Sequence, residues 1–181
     1  MTYLYIYTFL AMMHFAPPER APQFPGYEES HEAAVERYAE IAWTIAGVCE
    51  DAPSPRRCAS LLVAIGVGES YFARDADIGP CYRVGVHRTR CDSGLAASVW
   101  QAQAFGVDDD GQPITVARLF ASRKLAATHV LRVARASLRQ CRKLEPVDQL
   151  SGLSGRCQVG LKSAQSRWRL WQTIQSWEHS L

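Results

Sequence analysis

Apolar residues recur at helical spacing along most of this chain. Val35, Tyr38, Ile41, Ala42, Ile45 and Val48 fall three or four apart, with Glu32, Glu36 and Glu40 on another face. The spacing predicts a helix capped by Ser30 and ended by Asp51-Ala52-Pro53-Ser54-Pro55. A second helix is expected from about Arg57 to Glu69, with Cys58, Leu61, Leu62, Ile65 and Val67 in its core. Residues 73–94 read as loop, punctuated by Gly79-Pro80, Gly85 and Asp92-Ser93-Gly94. A short helix is expected over 95–104, and a turn at Asp108-Asp109-Asp110-Gly111. One long helix is then predicted from Thr115 to Lys143, with Val116, Leu119, Phe120, Ala127, Val130, Leu131, Ala134, Leu138 and Cys141 inward. Residues 146–160 form a Gly/Ser loop, and 161–178 a last helix carrying Leu161, Trp168, Leu170, Trp171, Ile174 and Trp177. No run alternates apolar and polar residues long enough for a strand. The fold class expected is mainly all-α, with one domain over 30–181 after an N-terminal segment and linker at 1–29.

That segment has two readings. Residues 1–13, MTYLYIYTFLAMM, are uncharged and mostly apolar, which suits a signal-peptide core better than a membrane span of ~20 residues. No Lys or Arg precedes them, so Met12 or Met13 is an equally natural start. Membrane contact is expected only if residues 1–15 act as signal or anchor. PPERAPQFPG (17–26) reads as an extended strap.

Composition is that of a globular protein: 48% hydrophobic and 21% charged, which excludes a disordered chain. The net charge of +2 hides a split. The first 51 residues hold eight carboxylates against Arg20 and Arg37, and the remainder carries a net +8. A basic body is drawn to a polyanion. Arg132, Arg135, Arg139 and Arg142 share one helix face, which is the ordinary solvated face of a helix or a patch for anionic polymer. No helix-turn-helix or zinc signature supports nucleic acid, and none is expected as partner. The six cysteines fall into three local couples. Disulfides Cys49–Cys58, Cys81–Cys91 and Cys141–Cys157 are expected, and with them an oxidising compartment. No Cys/His cluster has metal spacing, the Asp108 turn lacks the ligand spacing of a calcium loop, and no metal or organic cofactor is implied. His14, His31, His87, His129 and His179 show no ligand spacing and receive no role.

Glu69 is the carboxylate with the most chemistry. It closes the apolar segment LLVAIGVGE, where apolar neighbours and a helix C-terminus both favour its protonated form. That is the profile of a general acid near neutral pH; the plainer reading is an exposed helix-end glutamate. Asp75, Asp77 and Asp92 follow as turn or capping residues.

The residues around Glu69 resemble a known family. GESYF (68–72) resembles the Glu-Ser-x-Phe motif of soluble lytic transglycosylases, in the goose-type lysozyme-like superfamily. Ser98-Val99-Trp100-Gln101 looks like a diverged copy of the family's next motif, which ends in glutamine. A long helix and then the Gly/Ser segment LSGLSGRC (150–157) follow in the family's order, over roughly residues 32–178. The resemblance implies a lysozyme-like helical domain that cleaves the β-1,4 bond from N-acetylmuramic acid to N-acetylglucosamine in peptidoglycan. It implies Glu69 as acid and then base, with Ser98, Trp100, Gln101 and Ser154 binding substrate, Trp100 by stacking on a sugar. Ser70 would act locally at the helix end. The expected partner is the peptidoglycan glycan strand, the expected state a monomer. The expected location is periplasmic, secreted, or delivered by a phage or mobile element. The alternative is a decayed module of the same fold that only binds wall glycan. Two departures are visible. Glu69 stands 32 residues before Gln101, which leaves room for an insert between Cys81 and Cys91 that would cap the groove. The family's loop tyrosine has no counterpart in 150–157, leaving Ser151, Ser154 or Tyr82 to replace it.

Overall fold

The computed structural model describes residues 1–79 and 95–177. Among them the chain is all-α apart from one minimal hairpin. The helices are α1 (Thr2–Phe15), α2 (His31–Cys49), α3 (Pro55–Glu69), α4 (Arg74–Ile78), α5 (Val116–Ala121), α6 (Arg123–Gln140) and α7 (Leu161–Ser176). The hairpin pairs β1 (Ala96–Ala97) antiparallel with β2 (Ala102–Gln103).

The α3 helix is the axis of the fold. Cys58 to Gly66 are all buried, so no face of this helix is solvated along that stretch. A helix apolar on every side must be surrounded, and α1, α2, α6 and α7 all pack on α3. Ser30 caps α2 by accepting from the Ala33 amide, and Tyr38, Ile41, Ala42 and Ile45 form its buried stripe, as the spacing requires. Two of the expected disulfides are present. Cys49–Cys58 joins the end of α2 to the start of α3, and Cys141–Cys157 ties the end of α6 to the segment before α7. The expected Cys81–Cys91 bridge and the cap it would bound lie outside the described residues. Disulfides fit an oxidising compartment. Among the described residues no helix is long and apolar enough to cross a membrane.

Several expectations are corrected. The chain does not divide at residue 30, because α1 sits in the common core through Leu4, Tyr7, Ala11 and Met12. The Tyr7 hydroxyl donates to the Ile174 carbonyl on α7 and meets the Ser60 hydroxyl on α3, each at 2.8 Å. The long helix expected over 115–143 is two helices. Thr115 caps α5, and Ser122 caps α6 by accepting from the Leu125 amide, so the chain restarts where unbroken periodicity concealed a stop. Residues 146–154 wind into a 3-10 helix rather than a loop. Finally, 95–104 is the hairpin and not a helix, for reasons that belong to the site. Within the stretch read as loop, residues 74–78 form the short α4.

Asp75 and Asp77 are buried on α4. Asp77 takes both ends of the Arg123 guanidinium at 2.9 and 2.7 Å and lies 3.6 Å from Arg37. Arg37 also pairs with Glu29 and donates to the Phe72 carbonyl, while Arg123 reaches Glu40. This network bolts Glu29 just before α2, α2 itself, α4 and α6 together. It assigns Asp77 to architecture.

Candidate functional site

The site begins with a glycine. A Cβ at Gly66 would meet the Phe72 ring at 2.5 Å, so only glycine lets that ring fold back beneath α3. The return is made by Tyr71 and Phe72, both at positive φ (56° and 53°), a conformation that costs a non-glycine residue of order 1–3 kcal/mol. Ser70 holds it. Its hydroxyl accepts from the Phe72 amide at 3.1 Å and donates to the Val99 carbonyl at 2.7 Å. Ser70 therefore acts at the helix end, as expected, and also fastens that end to the hairpin turn.

The hairpin turn runs from Ser98 to Gln101, each at positive φ, and is closed by the Gln101 amide on the Ser98 carbonyl. The Trp100 indole N–H reaches the Leu62 carbonyl of α3 at 2.9 Å. Alanine-rich 95–104 has good helix propensity, but burying Trp100 against α3 outweighs it. Ser70 and Trp100 together dock the turn on α3, bringing Glu69 and Gln101 to one cavity.

That cavity has a volume of about 450 Å³. Its apolar wall is built by Ile65, Ala96, Trp100, Ala102, Val130 and Leu153. Its polar groups are Glu69, Gln101, Gln103, His129, Ser154 and Arg167, and Phe105 stands at its edge, 53% exposed. Among the described residues Glu69 is the only carboxylate that lines it. Burial pushes the Glu69 carboxyl above the usual carboxylate range, and the Arg167 guanidinium, ion-paired with it, opposes that rise. The His129 imidazole is held below its ordinary value, chiefly by burial, with nearby Arg132 adding to the effect. Its Nε2 lies 2.9 Å from the Gln103 carbonyl and its Nδ1 3.1 Å from Arg132, so the neutral ring donates to the first and accepts from the second.

Of the expected site residues, the structure brings Glu69, Gln101, Trp100 and Ser154 to the cavity and leaves Ser98 out. Ser98 is 1% exposed, and its hydroxyl accepts from the Trp100 amide. Its part is to shape the turn, which corrects the groove role expected for it. Trp100 is corrected likewise. At 2% exposure it is wall, with no open face for a sugar; the aromatic ring open to a ligand here is Phe105. Ser151 is buried, accepts from the Gln158 amide and contacts Cys141 Sγ, so it does not line the cavity. Ser154 does, while Tyr82 and Asp92 lie outside the described residues. Among the described residues no three His, Cys, Asp or Glu side chains group to hold a metal ion.

Sequence reasoning missed Arg167, His129 and Phe105. Arg167 carried a signal: it falls on the buried stripe of α7 with Ala164, Trp171 and Ile174. A charged residue at a core position requires a partner. His129 likewise sits on the inward stripe of α6. Phe105 follows β2 in irregular chain, where no periodicity marks it.

Comparison with family models, with curated proteins and with solved structures finds no match for this chain.

Proposed function

We propose that this protein is a lysozyme-like peptidoglycan lytic transglycosylase that works with a single carboxylate, Glu69. One observation carries the reading: a carboxyl with a raised pKa at a helix end stands alone among the described residues of a cavity large enough for a sugar. The Glu-Ser-x-Phe segment supports it, since Ser70 and Phe72 set the turn that presents Glu69.

Glu69 gives its proton to the glycosidic oxygen as the bond to C1 of the muramyl sugar breaks. Inversion would need a second carboxylate to activate water on the opposite face. Without one, the sugar's own C6 hydroxyl attacks C1, tethered at high effective concentration, and yields its proton to Glu69. The new O6–C1 bond makes a 1,6-anhydromuramic end, and the freed oxygen becomes the C4 hydroxyl of the neighbouring sugar. Gln101 and Ser154, which line the same cavity, orient the glycan.

The second reading is a module of the same kind that grips wall glycan without cleaving it. The Arg167 pair favours this, because it opposes the rise that burial gives the Glu69 carboxyl and so works against a general acid. Digestion of purified cell walls separates the two. The proposal expects turbidity to clear and anhydro-muropeptides to appear by mass spectrometry, with Glu69→Gln lowering the rate by at least about a hundredfold, as removal of a general acid does. Products heavier by one water would make it a hydrolase. An unchanged rate for Glu69→Gln would remove Glu69 from the chemistry, and binding without release would leave the module.

A further inference from the structure

Arg167 is more than the counter-ion of Glu69. Arg167 lines the cavity from α7 and is only 9% exposed. Its Nη2 is the nitrogen paired with Glu69. Its Nε and Nη1 are buried and have no hydrogen-bond partner. An unmade hydrogen bond on a buried charged group is costly. The fold nevertheless makes room for this arrangement: a Cβ at Gly68 would come within 3.2 Å of Arg167 Cγ, so the glycine lets the arginine stem lie along α3. Nε and Nη1 flank Nη2 on opposite sides, so the fork left to a ligand pairs one of them with the second N–H of Nη2, on a residue that lines the cavity together with Glu69. A planar fork of N–H donors is matched by the two oxygens of a carboxylate, which a neutral sugar hydroxyl does not reproduce.

We propose that Arg167 is a carboxylate-binding residue of this cavity, holding an acid group of the substrate beside the bond on which Glu69 acts. The inference rests on the peptidoglycan reading for its substrate. Two groups share the required chemistry: the lactyl carboxylate of a muramyl sugar without peptide, and a carboxylate of an attached peptide stem. Either would share Arg167 with Glu69 and weaken its hold on that side chain. Glu69, His129 and Arg167 are the titratable groups among the described residues lining the cavity. With His129 neutral, the charge that opposes the burial-driven rise of the Glu69 carboxyl is that of Arg167. A substrate acid that draws on Arg167 therefore raises the Glu69 carboxyl further, toward the protonated form that a general acid needs.

The test is equilibrium binding to the full chain of the disaccharide N-acetylglucosaminyl-N-acetylmuramic acid, which lacks the bond to be cleaved. Three forms are titrated by calorimetry: the free lactyl acid, its methyl ester, and the conjugate in which the lactyl group carries an alanyl-glutamate dipeptide. One of the two acidic forms should bind about tenfold or more tighter than the ester, the scale of a charge-assisted hydrogen bond. Tighter binding of the free acid assigns the lactyl source, and tighter binding of the conjugate assigns the stem. Arg167→Gln should reduce the preference to within about twofold, while Arg167→Lys keeps the charge without the fork and retains part of it. Equal binding of all three forms by the parent overturns the proposal without reference to any variant. So does a preference that survives in Arg167→Gln. Walls left intact by a parent that still prefers an acidic form would remove the transglycosylase and keep the carboxylate site. Walls cleaved by Arg167→Gln with the parent's KM would keep the enzyme and remove the site.

Discussion

Replacing Gly66 by alanine should destabilise the protein, although alanine is the better helix former. The added methyl would lie 2.5 Å from Phe72 Cε1 and 2.6 Å from Cζ. Carbon atoms settle at about 3.5–4.0 Å, so the ring must retreat by roughly 1 Å. It has nowhere to go. Phe72 is wholly buried against Tyr38, its amide is held by Ser70, and its carbonyl accepts from Arg37 at 2.9 Å. Overpacking of this kind costs about 1–3 kcal/mol, against a propensity gain of at most about 1 kcal/mol. The net expectation is a loss of about 1–2 kcal/mol, or ~2–8 °C in Tm for a chain of this size. Urea unfolding with the disulfides intact measures it as a lower midpoint at constant m. Adding Phe72→Leu should recover about 1 kcal/mol in a double-mutant cycle, since the leucine vacates the space the methyl needs. Gly47→Ala is the control. There the nearest atom to the new methyl is Met1 Cε at 3.8 Å, an ordinary contact, so stability should rise by about 0.5–1 kcal/mol. A Gly66→Ala protein as stable as the parent would refute the close approach, and with it the account of how Glu69 is presented.

Two further outcomes are expected. His129 is buried with its pKa pushed below 6.5, so the unfolded chain binds a proton that the folded one refuses. Its contribution to stability is full above that value and falls away as the pH drops; urea midpoints at pH ~7.5 and ~5.5 should differ less in His129→Gln than in the parent, and an equal difference would exclude His129 as the source. Asp77→Asn should cost about 2–3 kcal/mol, below the full value for breaking a buried pair because Arg123 keeps Glu40 and Arg37 keeps Glu29. Wall digestion below its melting temperature should run at the parent rate, because Asp77 does not line the cavity; a large loss of rate with the fold intact would give this aspartate a chemical part.

What could be read from the residues alone follows from how local each signal is. The start of α2 was legible because Ser30 and the stripe behind it act within a single turn or two. Glu69 was legible because an apolar helix, a glycine and a short motif converge on it. The hairpin was not, because what overrides the helix propensity of 95–104 is the Trp100 indole meeting a carbonyl 38 residues earlier in the chain. The break at Ser122 was hidden for the opposite reason, since both new helices continue one apolar rhythm. Arg167 is the instructive omission. Its place on an inward stripe marks it as buried, but only the tertiary fold sets α7 beside the end of α3 and so joins it to Glu69.

The bond from Tyr7 to Ile174 spans 167 positions of the sequence. Helix α1 is thus completed by α7. Until α7 has been made, the Tyr7 hydroxyl lacks its Ile174 partner, while α1 can already pack on α2 and α3. Contacts of such range slow folding, because the whole chain must close before they form. The fold is in this sense a clasp that joins its first described helix to its last. It can be kept open by anything that holds α1 away from α7, and a ribosome-bound or membrane-threaded chain remains unfastened until α7 is free.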